Sequence, residues 1–545
     1  MKPWVCEGVA KDGQQHSNQN PPGPHEPYEN YGEDCVICNL TKEQVVGGSK
    51  AKSSSFPVRN LAILGALALL LLGAGWFFFL RSSDVDPATT GESLDEPVQD
   101  PAVGADPEQA STEAGAGDRQ GLYTWEPERF SWGNRTLFSG DRNVPRDEGI
   151  AALNRGDYSA AADSFERAVS GNRNDPEVLI FYNNALARQS GNPYTIAAVV
   201  PVEGRSKSAE EMLRGVAQAQ NQFNASGGRD GRLLEVVIAN DGNNLDSAAQ
   251  VAEAIASDDS VLGVIGHNSS SASAAALPIY EAANLPMISP TSTSTALNSD
   301  LFFRTVPSDA ASARMLAQYA NDLGISRALI FYDPDSTYSD SLRAAFESEF
   351  SQLGGESTAQ DMTDPGLRAA REVFAAAESV EALLLFPSTD YTRVAIELAG
   401  ANSDLPEGNR LALLGGDSLY SVDTLVAGGD STEGLVLPVA WFSGAAQFED
   451  FSQASENQWG GPVSWRTATS FDATQALIQS LSEDATRTDV LADLVQVDLT
   501  EAETSGQSFS FSGGERDSEP VLVRVVRGST NRVPGSEFGY ELVSE

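Results

Sequence analysis

The 545-residue chain carries 35 basic and 77 acidic side chains, a formal net charge of −42. A surface so acidic repels phosphate backbones, which excludes nucleic acid as a partner. Beyond residue 40 there is no cysteine and a single histidine, His267, so disulfides, thiol nucleophiles and most transition-metal chemistry are excluded there.

Residues 1–60 contain Cys6, His16, His25 and the pair Cys35-x-x-Cys38. A CxxC knuckle offers two zinc ligands on one turn, and Cys6 with His16 or His25 would complete a tetrahedral structural site. A tail with incidental cysteines is the competing reading. Leu61–Leu80, LAILGALALLLLGAGWFFFL, then runs without a charge. At roughly 1.5 Å per residue it reaches across a hydrocarbon core of about 30 Å. Lys42, Lys50, Lys52 and Arg59 precede it and an acidic run follows Arg81. The positive-inside rule therefore places residues 1–60 in the cytosol and the remainder outside. The expectation is an uncleaved, single-pass signal anchor in the plasma (inner) membrane, with the following domains periplasmic or extracellular. Residues 82–120 are rich in Asp, Glu, Pro, Ala, Gly and Ser; they cannot bury enough apolar surface to offset ordering entropy and are expected to be a disordered tether.

Residues 121–192 have a helical rhythm. Gly156-Asp157-Tyr158 marks a turn, Ala161, Phe165 and Ala168 fall on one helix face, and Pro176 opens the next helix. The stretch 149–188 resembles a tetratricopeptide repeat, one full copy and the first helix of another. Such repeats need three or more copies to stand alone, so a single one is expected to serve as a packing collar for its neighbour.

From residue 193 onward, short apolar runs alternate with amphipathic helical patterns. TIAAVVPV (195–202), LLEVVIAND (233–241), VLGVIGHN (261–268), LPMISP (285–290), RALIFYD (327–333), EALLLFPS (381–388), RLALLGGD (410–417) and EGLVLPVAW (433–441) read as strands. Uniformly apolar strands spaced by helices predict an α/β fold of parallel sheets covered on both faces, and the length suits two lobes. Two hydroxyl clusters, NSSSAS (268–273) and PTSTST (290–295), follow consecutive strands. Right-handed crossover brings both to the carboxyl edge of one sheet. The amides at Ser270–Ser271 open a helix and suit a carboxylate, while the carbonyl and hydroxyls of the second loop can accept from an ammonium. An α-amino acid carries both groups. Plain helix caps and a polar loop are the competing reading.

The stretch GHNSSSASAAALPIYEAANLPMISPTSTS, with FFRTVPSD (302–309), LIFYDPDSTYSDSL (329–342), LLGGDSLYS (413–421) and SFDATQALIQSL (470–481), resembles the type I periplasmic binding proteins. Specifically it is similar to the branched-chain amino-acid (Leu/Ile/Val) receptors of ABC transporters, and the N-terminal extensions resemble cyanobacterial members of that group. The resemblance implies a two-lobed fold over 193–545, lobe 1 at about 193–305 and 440–512 and lobe 2 at about 306–439 and 513–545. It implies that Ser270 and Thr293 hold the α-carboxylate, that the Thr291 carbonyl and Thr293 take the ammonium, and that Asp417 supplies its countercharge. Asp309 and Tyr338 would line the second-lobe side, and the loop Ser388–Asp390 would stand near the ligand. The family usually has glutamate where Asp417 stands. The first loop, VEGRSKSAEEM (202–212), departs from the family in offering Arg205 and Lys207 and no aromatic, which leaves acidic or polar ligands open.

The implied function is the substrate-binding component of an ABC transporter, partnered by permease subunits and needing no cofactor in the binding domain. A membrane-anchored sensor built on the same module is the second reading. A hydrolase centred on His267 is the third, without a GxSxG, HExxH or P-loop motif to support it.

Overall fold

The computed structural model describes residues 123–543 except Asp141 and Pro534, together with residues 4–6, 9–11, 28–30, 40 and 45. The chain divides into two compact units, Met1–Glu108 and Gln109–Glu545. In the first, Trp4–Cys6 pairs antiparallel with Tyr28–Asn30, and Cys6 is buried with Ala10 and Leu40. The apolar run Leu61–Leu80, the tether at 82–120 and the candidate ligands His16, His25, Cys35 and Cys38 lie outside the described residues. Among the described residues no helix is long and apolar enough to cross a membrane, and no three potential metal ligands gather.

The second unit opens with strand β1 (Phe130–Ser131) and helices α1 (Val144–Leu153), α2 (Tyr158–Gly171) and α3 (Pro176–Ser190). Asn143, Asp157 and Asp175 each cap a helix by accepting from an amide of its first turn. Ala161, Phe165 and Ala168 form the buried face of α2, as their spacing predicts. These elements are built into the edge of the first lobe. β1 pairs antiparallel with β3 (Leu234–Asn240) beyond β2 (Tyr194–Val200), and α3 lies along α4 (Ser206–Ala225). The Asn184 amide completes the edge: its Oδ1 accepts from Val236 N–H and its Nδ2 donates to Val236 O, both at 2.8 Å. One side chain thus stands in for a neighbouring strand and satisfies a buried backbone.

The first lobe continues through α5 (Leu245–Ala256), β4 (Val261–Ile265), α6 (Ser270–Ala282), β5 (Met287–Ser289) and β6 (Phe302–Arg304). The second comprises α7 (Asp309–Asp322), β7 (Arg327–Tyr332), α8 (Thr337–Gln352), β8 (Glu356–Asp361), α9 (Ala369–Ala376), β9 (Ala382–Phe386), α10 (Thr392–Ser403), β10 (Ala412–Gly415), α11 (Val422–Gly428) and β11 (Val436–Val439). The chain returns to the first lobe with α12 (Glu449–Trp459), α13 (Trp465–Gln479), α14 (Arg487–Leu494), β12 (Asp498–Leu499), β13 (Phe509–Ser512) and β14 (Glu515–Arg516). It ends in the second with β15 (Val521–Arg527) and β16 (Phe538–Leu542).

Strand order is β12-β13-β14-β6-β5-β4-β2-β3-β1 in the first sheet and β8-β7-β9-β10-β11-β15-β16 in the second. The central pairings of both are parallel. β2 and β9 are buried at every residue, which is why their sequences are continuously apolar.

Three crossings join the lobes. The first follows Arg304 and the second follows Val439. The third comes later than the expected residue 513, because Glu515 in β14 pairs with Arg304 of the first sheet. Hydrogen bonding holds it there: Arg516 donates to Thr305 O at 3.1 Å and to Asp472 at 2.6 Å, so the strand returns to lobe 2 only after Arg516.

Candidate ligand-binding cleft

Each lobe has the doubly wound order in which the sheet reverses direction beside its first strand, β2 in one and β7 in the other. Loops leaving the carboxyl ends of strands at such a point form a crevice. Here the crevices face each other across a cavity of about 360 Å³. Asn243, Asn268–Ser271 and Thr291 line it from lobe 1; Asp333, Asp335, Ser336, Tyr338, Ser388–Tyr391, Asp417 and Ser418 line it from lobe 2.

The two hydroxyl clusters meet, as the crossover rule predicts. Ser273 and Ser292 share a hydrogen bond at 2.8 Å, the Thr291 hydroxyl donates to Asn268 O at 2.7 Å, and Ser294 N–H donates to Ser270 Oγ at 3.3 Å. The Thr291 hydroxyl is thereby engaged within the protein, and its carbonyl is the part left to accept from a ligand. Ser270 Oγ accepts from the protein and keeps its proton for an anion. Ser269 caps α6 by accepting from Ala272 N–H, so the first amides of α6 have no intrahelical acceptor and carry partial positive charge. Gly266 must be glycine: its φ is +128° and a Cβ would stand 2.4 Å from Val199 O.

Opposite stands Asp417, at the end of β10. Burial raises its pKa, while the Tyr338 hydroxyl and the Arg466 charge oppose the rise. Tyr338 lies so close to the backbone that a Cβ on Gly416 would meet its hydroxyl at 2.2 Å. Among the six predicted ligand residues, Ser270, Thr291, Tyr338 and Asp417 line the cavity. Thr293 and Asp309 do not. They lie behind it, joined by Asp309 N–H donating to Thr293 O at 2.8 Å. The Asp309 carboxylate is buried, and burial pushes its pKa up to about 7; the hydroxyls of Ser341 and Thr293 oppose the rise, though neither meets it in good hydrogen-bond geometry.

Sequence reasoning missed Trp465 and Arg466, which enter the cavity from the start of α13. They open the same helix three residues ahead of the motif SFDATQALIQSL, and an aromatic–cation pair in its first turn is the signal available in the sequence. Arg205, expected near the ligand, instead forms an ion pair with Asp390 between the lobes. His267 is fully buried, with Nδ1 2.7 Å from Asp241 and Nε2 3.1 Å from the Tyr280 hydroxyl. Both ring nitrogens are engaged and the ring is outside the cavity lining, which removes the hydrolase reading.

The family model described as "Periplasmic binding protein" matches residues 193–527. The chain belongs to that family. It is a family of binding proteins and not of enzymes. Among curated relatives, an amino acid binding protein of Pseudomonas aeruginosa is 29% identical over 164 residues, 29% of this chain and 44% of that one. A leucine-, isoleucine-, valine-, threonine- and alanine-binding protein of the same organism is 36% identical over 118 residues, 21% and 31% respectively. The chain thus matches less than half the length of either. A solved leucine-binding protein from Thermotoga maritima has TM-score 0.55 and 20% identity, covering 64% of this chain and 97% of that one. The closed form of a Brucella ovis relative has TM-score 0.56 and 16% identity, covering 65% and 95%. Those identities speak to the fold. In this periplasmic binding protein, residues 123–192 precede the matched region and are fused to its edge.

Proposed function

We propose that the chain is the extracytoplasmic substrate-binding component of an ABC transporter, closing two lobes around an amino acid or similar small zwitterion. One observation carries the reading. Anion donors (Ser270 and the first amides of α6) and a half-buried carboxylate (Asp417) line a single cavity from opposite lobes. They match the two charged ends of an α-amino acid. The ligand's greater affinity for the closed arrangement supplies the energy for closure, and the closed form docks on permease subunits. The names of the Pseudomonas relatives support the ligand class. Leu61–Leu80 serves as the membrane anchor, residues 1–60 face the cytosol with a structural zinc on Cys6, Cys35, Cys38 and either His16 or His25, and the collar is a single tetratricopeptide-like repeat of the cyanobacterial type.

The test is a thermal-shift screen of the full-length chain against the twenty L-amino acids. A true ligand raises the melting temperature with the logarithm of its concentration over Kd. A flat screen at millimolar concentrations would refute the reading.

A sensor that reports ligand to the cytosol is a second reading. The full burial of Cys6 with Ala10 and Leu40 favours it, since a free-standing receptor needs no folded tip. Zinc content of the full-length chain, and ligand binding with and without a chelator, separate the two.

A further inference from the structure

We propose that Arg466 and Trp465 select a ligand with a second anionic group, making the preferred ligand an acidic α-amino acid, glutamate or aspartate. The proposal rests on the amino-acid reading above and deepens it. Arg466 is the one cationic side chain lining the described cavity. Its guanidinium lies over the Trp465 ring, 4.5 Å from the centroid, which holds it in a fixed plane. Its protein partner is Glu211, at 3.4 Å from one terminal nitrogen, while Nε is buried with no hydrogen-bond partner. Trp465 is 5% exposed, and its indole Nε1 is likewise buried and unpartnered. Those two nitrogens are closed to solvent, so what Arg466 offers the cavity is its charge and the terminal nitrogen that Glu211 does not take.

The cavity's acids do not cancel this demand. Asp390 is paired with Arg205, Asp333 accepts from Asp335 N–H at 3.0 Å, and Asp335 is exposed at the rim. Asp417 feels the Arg466 charge but forms no ion pair with it, and the reading above assigns it to the ammonium. An aliphatic side chain would cover the Arg466 charge with apolar surface and supply no countercharge, whereas a side-chain carboxylate pairs with it. Arginine's planar fork suits a carboxylate in a way that lysine's point charge does not.

The experiment is isothermal titration of the full-length chain with L-glutamate, L-aspartate, L-glutamine and L-leucine, for the wild type, Arg466→Gln and Arg466→Lys, with melting curves to certify folding. Wild type is expected to bind one acidic amino acid at least tenfold more tightly than glutamine or leucine. Arg466→Gln should bring the acidic-to-amide affinity ratio to near one, and Arg466→Lys should restore part of it. Leucine binding more tightly than both acidic ligands, or a ratio unchanged in Arg466→Gln, overturns the inference while leaving the amino-acid reading intact. Absence of binding by any amino acid overturns both.

Discussion

The hydroxyl of Ser271 in lobe 1 donates to Thr337 Oγ1 in lobe 2 at 3.1 Å and accepts from Thr337 N–H at 3.3 Å. Four residues along α8, Ser341 accepts from Thr295 N–H at 3.0 Å. The two hydroxyl-rich loops therefore bridge the lobes: one accepts an amide at the start of α8, and the other bonds the Ser341 hydroxyl one turn on. Thr337→Val removes one of these bonds without altering the cavity lining. A hydrogen bond of this kind contributes about 1 kcal/mol, so ligand affinity should weaken roughly fivefold. Titration calorimetry measures the loss, and small-angle scattering should show a larger open fraction.

Asp417 is expected to carry the ammonium. Its replacement by alanine should cost about 2–5 kcal/mol of affinity, much of it from leaving the ligand's charge buried and unpaired. Because burial raises its pKa, affinity should also fall on acidification at a higher pH than an ordinary aspartate would set. Calorimetry over a pH series checks both statements.

Asp309 titrates near 7 in the folded state against an ordinary 3.8. The native protein holds that proton where the unfolded chain has lost it, so stability falls as pH rises from about 4 to about 7 and the penalty is complete above. Asp309→Asn, which mimics the protonated carboxyl, should therefore melt several degrees above wild type at pH 8 and close to it at pH 4. Melting curves at the two pH values decide the point.

The collar is structural in a specific way. Asn184→Leu would leave the buried N–H and carbonyl of Val236 without partners, and a loss of about 2–4 kcal/mol in chemical denaturation is expected. A chain beginning at residue 193 would expose the whole edge of β3 and should aggregate. Arg188→Met should also destabilise, because Glu235 is fully buried against that guanidinium with its oxygens 2.5 and 2.7 Å from the arginine nitrogens.

The alternation of apolar runs and helical patterns sufficed for two parallel sheets, and the carboxyl-edge rule sufficed to bring NSSSAS and PTSTST together. Both follow from residues close in sequence: side-chain period determines strand or helix, and crossover handedness determines which end the loops share. That Ser270, Thr291, Tyr338 and Asp417 line the cavity follows from their places at strand ends. Thr293 and Asp309 lie outside the cavity lining, since loop periodicity does not say which of two alternating hydroxyls faces inward.

Trp465 and Arg466 meet Ser270 from almost two hundred residues away, after the chain has crossed between lobes and returned. Nothing in their neighbourhood records that meeting. Arg205 carries the same charge beside the first strand, yet Asp390 of the other lobe takes it up. By itself the sequence determined the layers and the edge that bears the cleft. The tertiary structure alone decided which cation reaches the cavity and how the collar seals the sheet, since those contacts depend on where distant segments are brought together in space.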